Sequence, residues 1–282
     1  MLSIDDYSAS LIRLATFASV FFAMALLEIL APRRQLKVTK FRRWMTNLTI
    51  GGLGIAIVRG LGMVAQPLVA VGAALLVETS GFGLLNFVVW PFWLEILIAV
   101  VVLDFAIWLQ HLISHRSSML WRLHRVHHAD VDIDVSTALR FHPVEIGLSM
   151  LYKVGWVLLL GPSVVAVVLF EVILNACAMF SHANVALPSR LDRALRAFLV
   201  TPDLHRVHHS VLKGEHHSNF GFNLSIWDRL FGTYVAQPEH GHEHMTIGLP
   251  AYQSDAPTRL GWSLLLPFKR SANGTRVSDV AE

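Results

Sequence analysis

Four long apolar stretches dominate the first two-thirds of the chain. The first, 11–30, is about 20 residues long, enough to cross a hydrocarbon core of roughly 30 Å. Asp5 and Asp6 precede it where a secretory signal would be basic, and Ala31-Pro32-Arg33-Arg34 is a poor cleavage site, so it reads as a retained span. The second, 48–77, is too long for one simple span and contains Arg59 and Pro67. It is expected to lie along the interface over 48–58 and to cross over 60–78. The third, 91–111, opens on Trp90, Phe92 and Trp93, an aromatic belt. The fourth, 146–180, is broken by Gly161-Pro162. Proline ends a helix and glycine permits the turn, which predicts two antiparallel helices, 146–160 and 163–181, in a hairpin whose ends emerge on one side of the membrane.

Composition narrows the class. Hydrophobic residues make up 54% and charged residues 15%, well short of the quarter or so charged in a water-soluble domain, and far too apolar for disorder. The single cysteine, Cys177, excludes an internal disulfide. The net charge is +3, but the basic residues cluster: Arg33, Arg34, Lys37, Lys40, Arg42 and Arg43 follow the first apolar stretch with no acid among them. That placement reads as a membrane flank rather than a nucleic-acid groove. If 33–43 is cytoplasmic, the third span and the hairpin both return their C-terminal ends to the cytoplasmic face.

The histidines change the picture most. None of the 15 lies in the first 110 residues, and all follow an apolar stretch that ends on the same side. His111 and His115 form an HxxxH; His124, His127 and His128 form an HxxHH, as do His205, His208 and His209. Leu-His-Arg-Val-His-His occurs at both 123–128 and 204–209. Positions i, i+3 and i+4 share a helix face, so each HxxHH is expected to present three imidazoles to one point, and neutral imidazole is a common metal ligand. One continuous helix would aim 124–128 away from 111 and 115, so a break is predicted near Arg116-Ser117-Ser118. With His182 there are nine candidate ligands, too many for one ion of four to six ligands and suited to two, each with an open position. Burying nine such rings without a metal would be costly.

The expected architecture is therefore all-α: a polytopic, multi-pass integral-membrane helical bundle with a cytoplasmic helical cap carrying a histidine-rich dimetal site. It divides into N-terminal spans (1–90), a catalytic unit (91–240) containing the hairpin 146–181, and a C-terminal tail (241–282) whose apolar 260–268 is expected on the membrane surface. His142, before Pro143, is either a tenth ligand or a donor to one. His216 and His217 are weaker candidates, and His240, His242 and His244 read as a solvated loop. Asp104, inside a span, either orients a histidine of another helix or bonds helix to helix. Asp203 reads as a first-turn helix carboxylate after Thr201-Pro202. Asn184 and Asn219 are candidate amides beside the ligands, and 227–234 reads as packing.

Together, His111-Leu-Ile-Ser-His115, His124-Arg-Val-His-His128, Arg140-Phe-His-Pro143, Ser181-His-Ala-Asn184, His205-Arg-Val-His-His209, Asn219-Phe-Gly and Trp227-Asp-Arg-Leu-Phe-Gly-Thr-Tyr234 resemble the fatty acid hydroxylase / sterol desaturase superfamily over roughly 90–235. The resemblance implies a non-haem di-iron enzyme that uses O2 to hydroxylate or desaturate a lipid C–H bond, with the nine histidines as iron ligands. Some members have two histidines four apart where this chain has Ala178 and His182, and His142 is a candidate to compensate. Some carry a fused cytochrome domain with a His-Pro-Gly-Gly motif; that motif is not in this sequence, which implies a separate electron-transfer protein. Two readings stand beside it. One is a zinc-dependent membrane hydrolase, since imidazoles favour zinc over ferrous iron, although no HExxH occurs. The other is a metal transporter, whose ligands are expected at mid-membrane.

Overall fold

The computed structural model describes residues 6–269, so Asp5 and the end of the tail lie outside the described residues. The described residues contain helices and turns and no extended sheet. The helices are α1 (Asp6–Leu30), α2 (Lys40–Val64), α3 (Ala70–Ser80), α4 (Phe92–Arg116), α5 (Ser118–His128), α6 (Pro143–Leu160), α7 (Val164–His182), α8 (Ser189–Leu195), α9 (Pro202–His208), α10 (Lys213–His216), α11 (Ile226–Leu230), α12 (Gly241–His244) and α13 (Leu260–Leu265). Among the described residues, six segments are long and apolar enough to cross a membrane: Leu11–Leu30, Lys40–Val64, Ala70–Phe87, Phe92–Arg116, Pro143–Leu160 and Val164–His182. Large apolar side chains such as Leu14, Phe22 and Trp93 stay exposed along them, the surface expected of helices solvated by lipid.

The second apolar stretch departs from its expected layout. One unbroken helix runs over 40–64, and the chain breaks at Ala65-Gln66-Pro67 before α3. Pro67 has no N–H to continue α2. Gly72 lets α3 restart at once, because a Cβ there would meet the Gln66 carbonyl oxygen at 2.0 Å. Gly161 turns the predicted hairpin at φ +71. Gly83 packs so closely that a Cβ would lie 2.4 Å from the Gly161 Cα. Glu95 of α4 accepts hydrogen bonds from the Ser163 N–H and hydroxyl, both at 2.9 Å, and so ties the hairpin turn to α4. An apolar core of Ala73, Leu103, Val157, Val167 and Phe170 joins α3, α4, α6 and α7.

At the opposite end α4, α6 and α7 meet a polar lobe. There the basic cluster is part of the interior and not only a membrane flank. Arg43 is fully buried; its guanidinium donates to both oxygens of Asp130 at 2.9 Å and to Asp134 at 2.6 Å. Arg34 donates to the Met245 carbonyl and Arg33 to Asp203. Arg140 donates to Val126 O, Asn47 Oδ1, Pro257 O and Ser263 Oγ. Segment 260–268, expected on the membrane surface, instead packs in part against α5 and α2: Leu266 and Ser263 are buried, while Leu265 and Phe268 stay exposed.

Candidate metal centre

The break after α4 falls where the histidines require it. Arg116 ends the helix, Ser117 accepts from the Leu120 N–H, and α5 begins at Ser118 in a new direction. The C-terminal ends of α4 and α7 then meet α5 and α9, bringing nine buried imidazoles together. They form two groups: His111, His115, His124, His128 and His208, and His127, His182, His205 and His209. Within each group one nitrogen per ring lies within 4.8 Å of all the others. The groups abut, with the His128 and His209 rings stacked at 4.6 Å.

The motifs do not each serve one point. Every i, i+4 pair stays together: His111 with His115, His124 with His128, His205 with His209. Each i+3 histidine crosses over, His127 to the second group and His208 to the first. Helix geometry gives the reason. At 3.6 residues per turn, i+4 lies about 40° from i while i+3 lies about 60° to the other side. His127 and His128 therefore diverge by about 100°, and the two HxxHH helices exchange one ring each.

Backbone carbonyls and one carboxylate orient the rings. His111 Nδ1 donates to Phe220 O at 2.8 Å, His208 Nδ1 to Ser218 O at 2.6 Å, and His182 Nδ1 to Ala178 O at 2.7 Å. His124 Nδ1 donates to Glu145 Oε1 at 2.6 Å. Each of these four rings thus turns a bare Nε2 inward. His111 and His124 then oppose Nε2 to Nε2 at 3.1 Å, and His182 lies 3.1 Å from His127 Nε2 and 3.0 Å from His205 Nε2. Between His111 and His124, whose Nδ1 atoms both donate elsewhere, two lone pairs face each other, and at that distance they repel unless a cation lies between them. Adjacent ligands of one ion at about 2.1 Å stand roughly 3 Å apart, so the spacing fits a metal. His208 Nε2 and both ring nitrogens of His115 are also buried with no hydrogen-bond partner, and ligation of a metal would occupy one nitrogen of each. Outside the spanning helices, burial holds His127, His128, His205, His208 and His209 well below the usual imidazole pKa, with neighbouring rings adding to the effect. They are neutral, as ligands must be.

Asn219 sets the carbonyls. It is the one non-glycine described residue at positive φ, +52, a conformation asparagine tolerates. Its side chain donates to Leu204 O and Val235 O and accepts from Val235 N, which fixes Ser218 and Phe220 on either side. It acts through the backbone rather than beside a ligand. Asn184 likewise bonds the Arg34 backbone.

Other expected residues lie elsewhere. His142 joins neither group: it caps α6 by accepting from Val144 N, and its Nε2 faces Leu264 O at 3.3 Å. Asp104 orients no histidine; it accepts from Trp227 Nε1 at 2.8 Å, bonding α4 to the segment at α11. Asp203 is in the first turn of α9, paired with Arg206 and Arg33. His216 is buried against His128, ring centroids 4.4 Å apart, yet outside the first group. His242 is also buried, bonded to Gln237 and Asp203, and not solvated as expected. Sequence reasoning missed Glu145, although it stands two residues past the Arg-Phe-His-Pro motif. It also missed Phe141, stacked on His127 at 4.2 Å, and Phe222, 5.0 Å from His111.

A fatty acid hydroxylase domain model matches residues 96–233. Among curated proteins, the ornithine lipid hydroxylase of Rhizobium tropici is 29% identical over 153 residues, 53% of this chain and 44% of its own. Human alkylglycerol monooxygenase is 33% identical over 142 residues, 50% of this chain and 31% of its own; that of Xenopus tropicalis is 32% identical over 150 residues, 53% and 32%. The matched segments thus span less than half the length of these relatives. No solved structure matches the chain. These matches support the fatty acid hydroxylase superfamily for residues 96–233, the segment that holds every histidine of both groups.

Proposed function

We propose that this chain is a membrane-bound lipid hydroxylase that uses O2 and two iron ions to insert oxygen into an unactivated C–H bond of a fatty acyl, alkyl or related lipid. The observation that carries the reading is the pair of abutting imidazole groups whose Nε2 atoms face one another at 3.0–3.1 Å. The relatives, a lipid hydroxylase and monooxygenases by name, support hydroxylation over desaturation. His111, His115, His124, His128 and His208 would hold one ion, and His127, His182, His205 and His209 the other. Iron bound there would supply the activation of O2, with electrons delivered by a separate protein.

The protein's own part is to place and to shield. Glu145 and the carbonyls of 178, 218 and 220 aim the rings. Phe141 and Phe222 flank the histidines and keep water from them. Three of the metal-binding rings, His111, His115 and His182, ride on the ends of spanning helices, at the bilayer edge, so a lipid chain reaches the centre without leaving the membrane. We assign that edge to the cytoplasmic side. A transporter would place its ligands near mid-membrane, and a zinc hydrolase needs a carboxylate free to activate water, whereas Glu145 is committed to His124 Nδ1.

Comparative lipid mass spectrometry of cells with the intact protein and with His127→Ala tests the proposal. A lipid class heavier by one oxygen only with the intact protein is expected. Identical lipids in both, with the protein present and loaded with iron, would overturn it.

A further inference from the structure

We infer that α11 and the adjoining Phe198 lie within the bilayer as an in-plane element, so that the partner of this face of the histidine lobe is the lipid itself. Ile226, Leu230, Phe231 and Phe198 are 52%, 68%, 51% and 73% exposed, an apolar outer face on the lobe that carries the histidines. They form one patch: the Ser225 N–H donates to Phe198 O at 3.0 Å, joining the two segments.

Depth follows from what the patch packs on. Phe231 stacks on Trp108 at 4.6 Å and lies 5.9 Å from Phe105; Trp227 donates to Asp104 at 2.8 Å. All three partners belong to α4, which begins at Phe92. At about 1.5 Å per residue, Phe105 and Trp108 stand roughly 20 and 24 Å along the helix from Phe92. A hydrocarbon core of about 30 Å entered at Phe92 extends past both. A segment seated on them shares their depth, and its exposed side continues the lipid-facing side of α4. The rim agrees: Arg229 stacks over the Tyr234 ring at 3.8 Å and donates to Arg196 O, placing a cation and an aromatic ring beside the apolar patch, as interfacial elements do. The lobe is thereby held against the membrane by its own chain, which fixes the histidine groups at the level of acyl chains. This inference rests on α4 spanning the bilayer and not on the reaction.

The test is collisional spin labelling of the full chain in phosphatidylcholine–phosphatidylglycerol vesicles. In a Cys177→Ser background, nitroxides are placed at Leu230→Cys and, separately, Phe198→Cys. Leu97→Cys, exposed on α4, marks lipid, and Glu239→Cys, in an exposed loop, marks water. Both patch labels are expected to collide readily with O2 and to be shielded several-fold from an aqueous nickel chelate, as at 97. Nickel access equal to that at 239 would overturn the inference. So would shielding from both reagents, which would mean that a protein covers the patch. A chain that binds no iron but gives lipid-like collisions leaves this inference standing while removing the proposed reaction.

Discussion

Glu145→Ala isolates the one carboxylate, among the described residues, that hydrogen-bonds a ring of either histidine group. In the intact chain Glu145 Oε1 accepts from His124 Nδ1 at 2.6 Å, with the carboxylate largely buried. That bond holds the proton on Nδ1 and leaves Nε2 bare toward His111. Alanine leaves a buried N–H without an acceptor, an expense of about 1–3 kcal/mol, and frees the ring to turn or change tautomer. Loss of such an orienting partner typically lowers metal affinity 10–100-fold, or about 1.4–2.7 kcal/mol. Glu145→Gln keeps an acceptor oxygen without the charge and should lie between. Chelator competition on purified, iron-loaded protein measures this directly. One of the two ions, that of the first group, should be extracted at about 10–100-fold lower chelator. Release profiles for Glu145→Ala that match the intact chain within threefold would refute the orienting role.

Acidification should destabilise the metal-free protein. Burial keeps His128 and His209 well below the usual value and His216 down to about 3, against about 6.5 when unfolded. The unfolded chain therefore binds more protons below pH 6.5, so thermal stability should be flat above about pH 7 and fall steadily below 6.5; a midpoint that does not change down to pH 5 would contradict this. Arg43→Ala strands Asp130 and Asp134 as buried charges and should lower stability by about 3–5 kcal/mol in detergent denaturation, whereas near-wild-type stability would show the network to be dispensable. Gly83→Ala, whose Cβ would meet Gly161 Cα at 2.4 Å, should cost about 1–3 kcal/mol, while Gly52→Ala, with nothing within 4 Å, should leave the melting temperature within a degree or two.

Much of this was legible in the sequence because hydrophobic length and helical spacing act locally. The first and third spans, the Gly161-Pro162 turn and the break after Arg116 follow from the solvation of a helix and from residues that end one, whereas the second stretch divides after Val64 and not near Arg59. The nine rings were legible as a set, but their sorting was not. It depends on where two helices pass each other, so the divergence of His127 from His128 becomes meaningful only once α9 supplies His205 and His209. Backbone orienters leave no side-chain signature: nothing in the letters of Ser218 and Phe220 marks their carbonyls. Arg43 and Arg34 looked like a headgroup-facing cluster because Asp130, Asp134 and the Met245 carbonyl that engage them are 87 or more positions away. His142 and Asp104 sat in suggestive places, and packing gave both to helix ends and helix contacts instead.

Metal analysis of the protein purified without chelator, beside His128→Ala and His127→Ala, most directly tests the central claim of two ions in two histidine groups. The account predicts two irons per intact chain and about one in each variant, the residual ion differing in its spectroscopic signature between the two because each substitution empties a different group. A single ion per intact chain, or two variants that retain both ions, would contradict it.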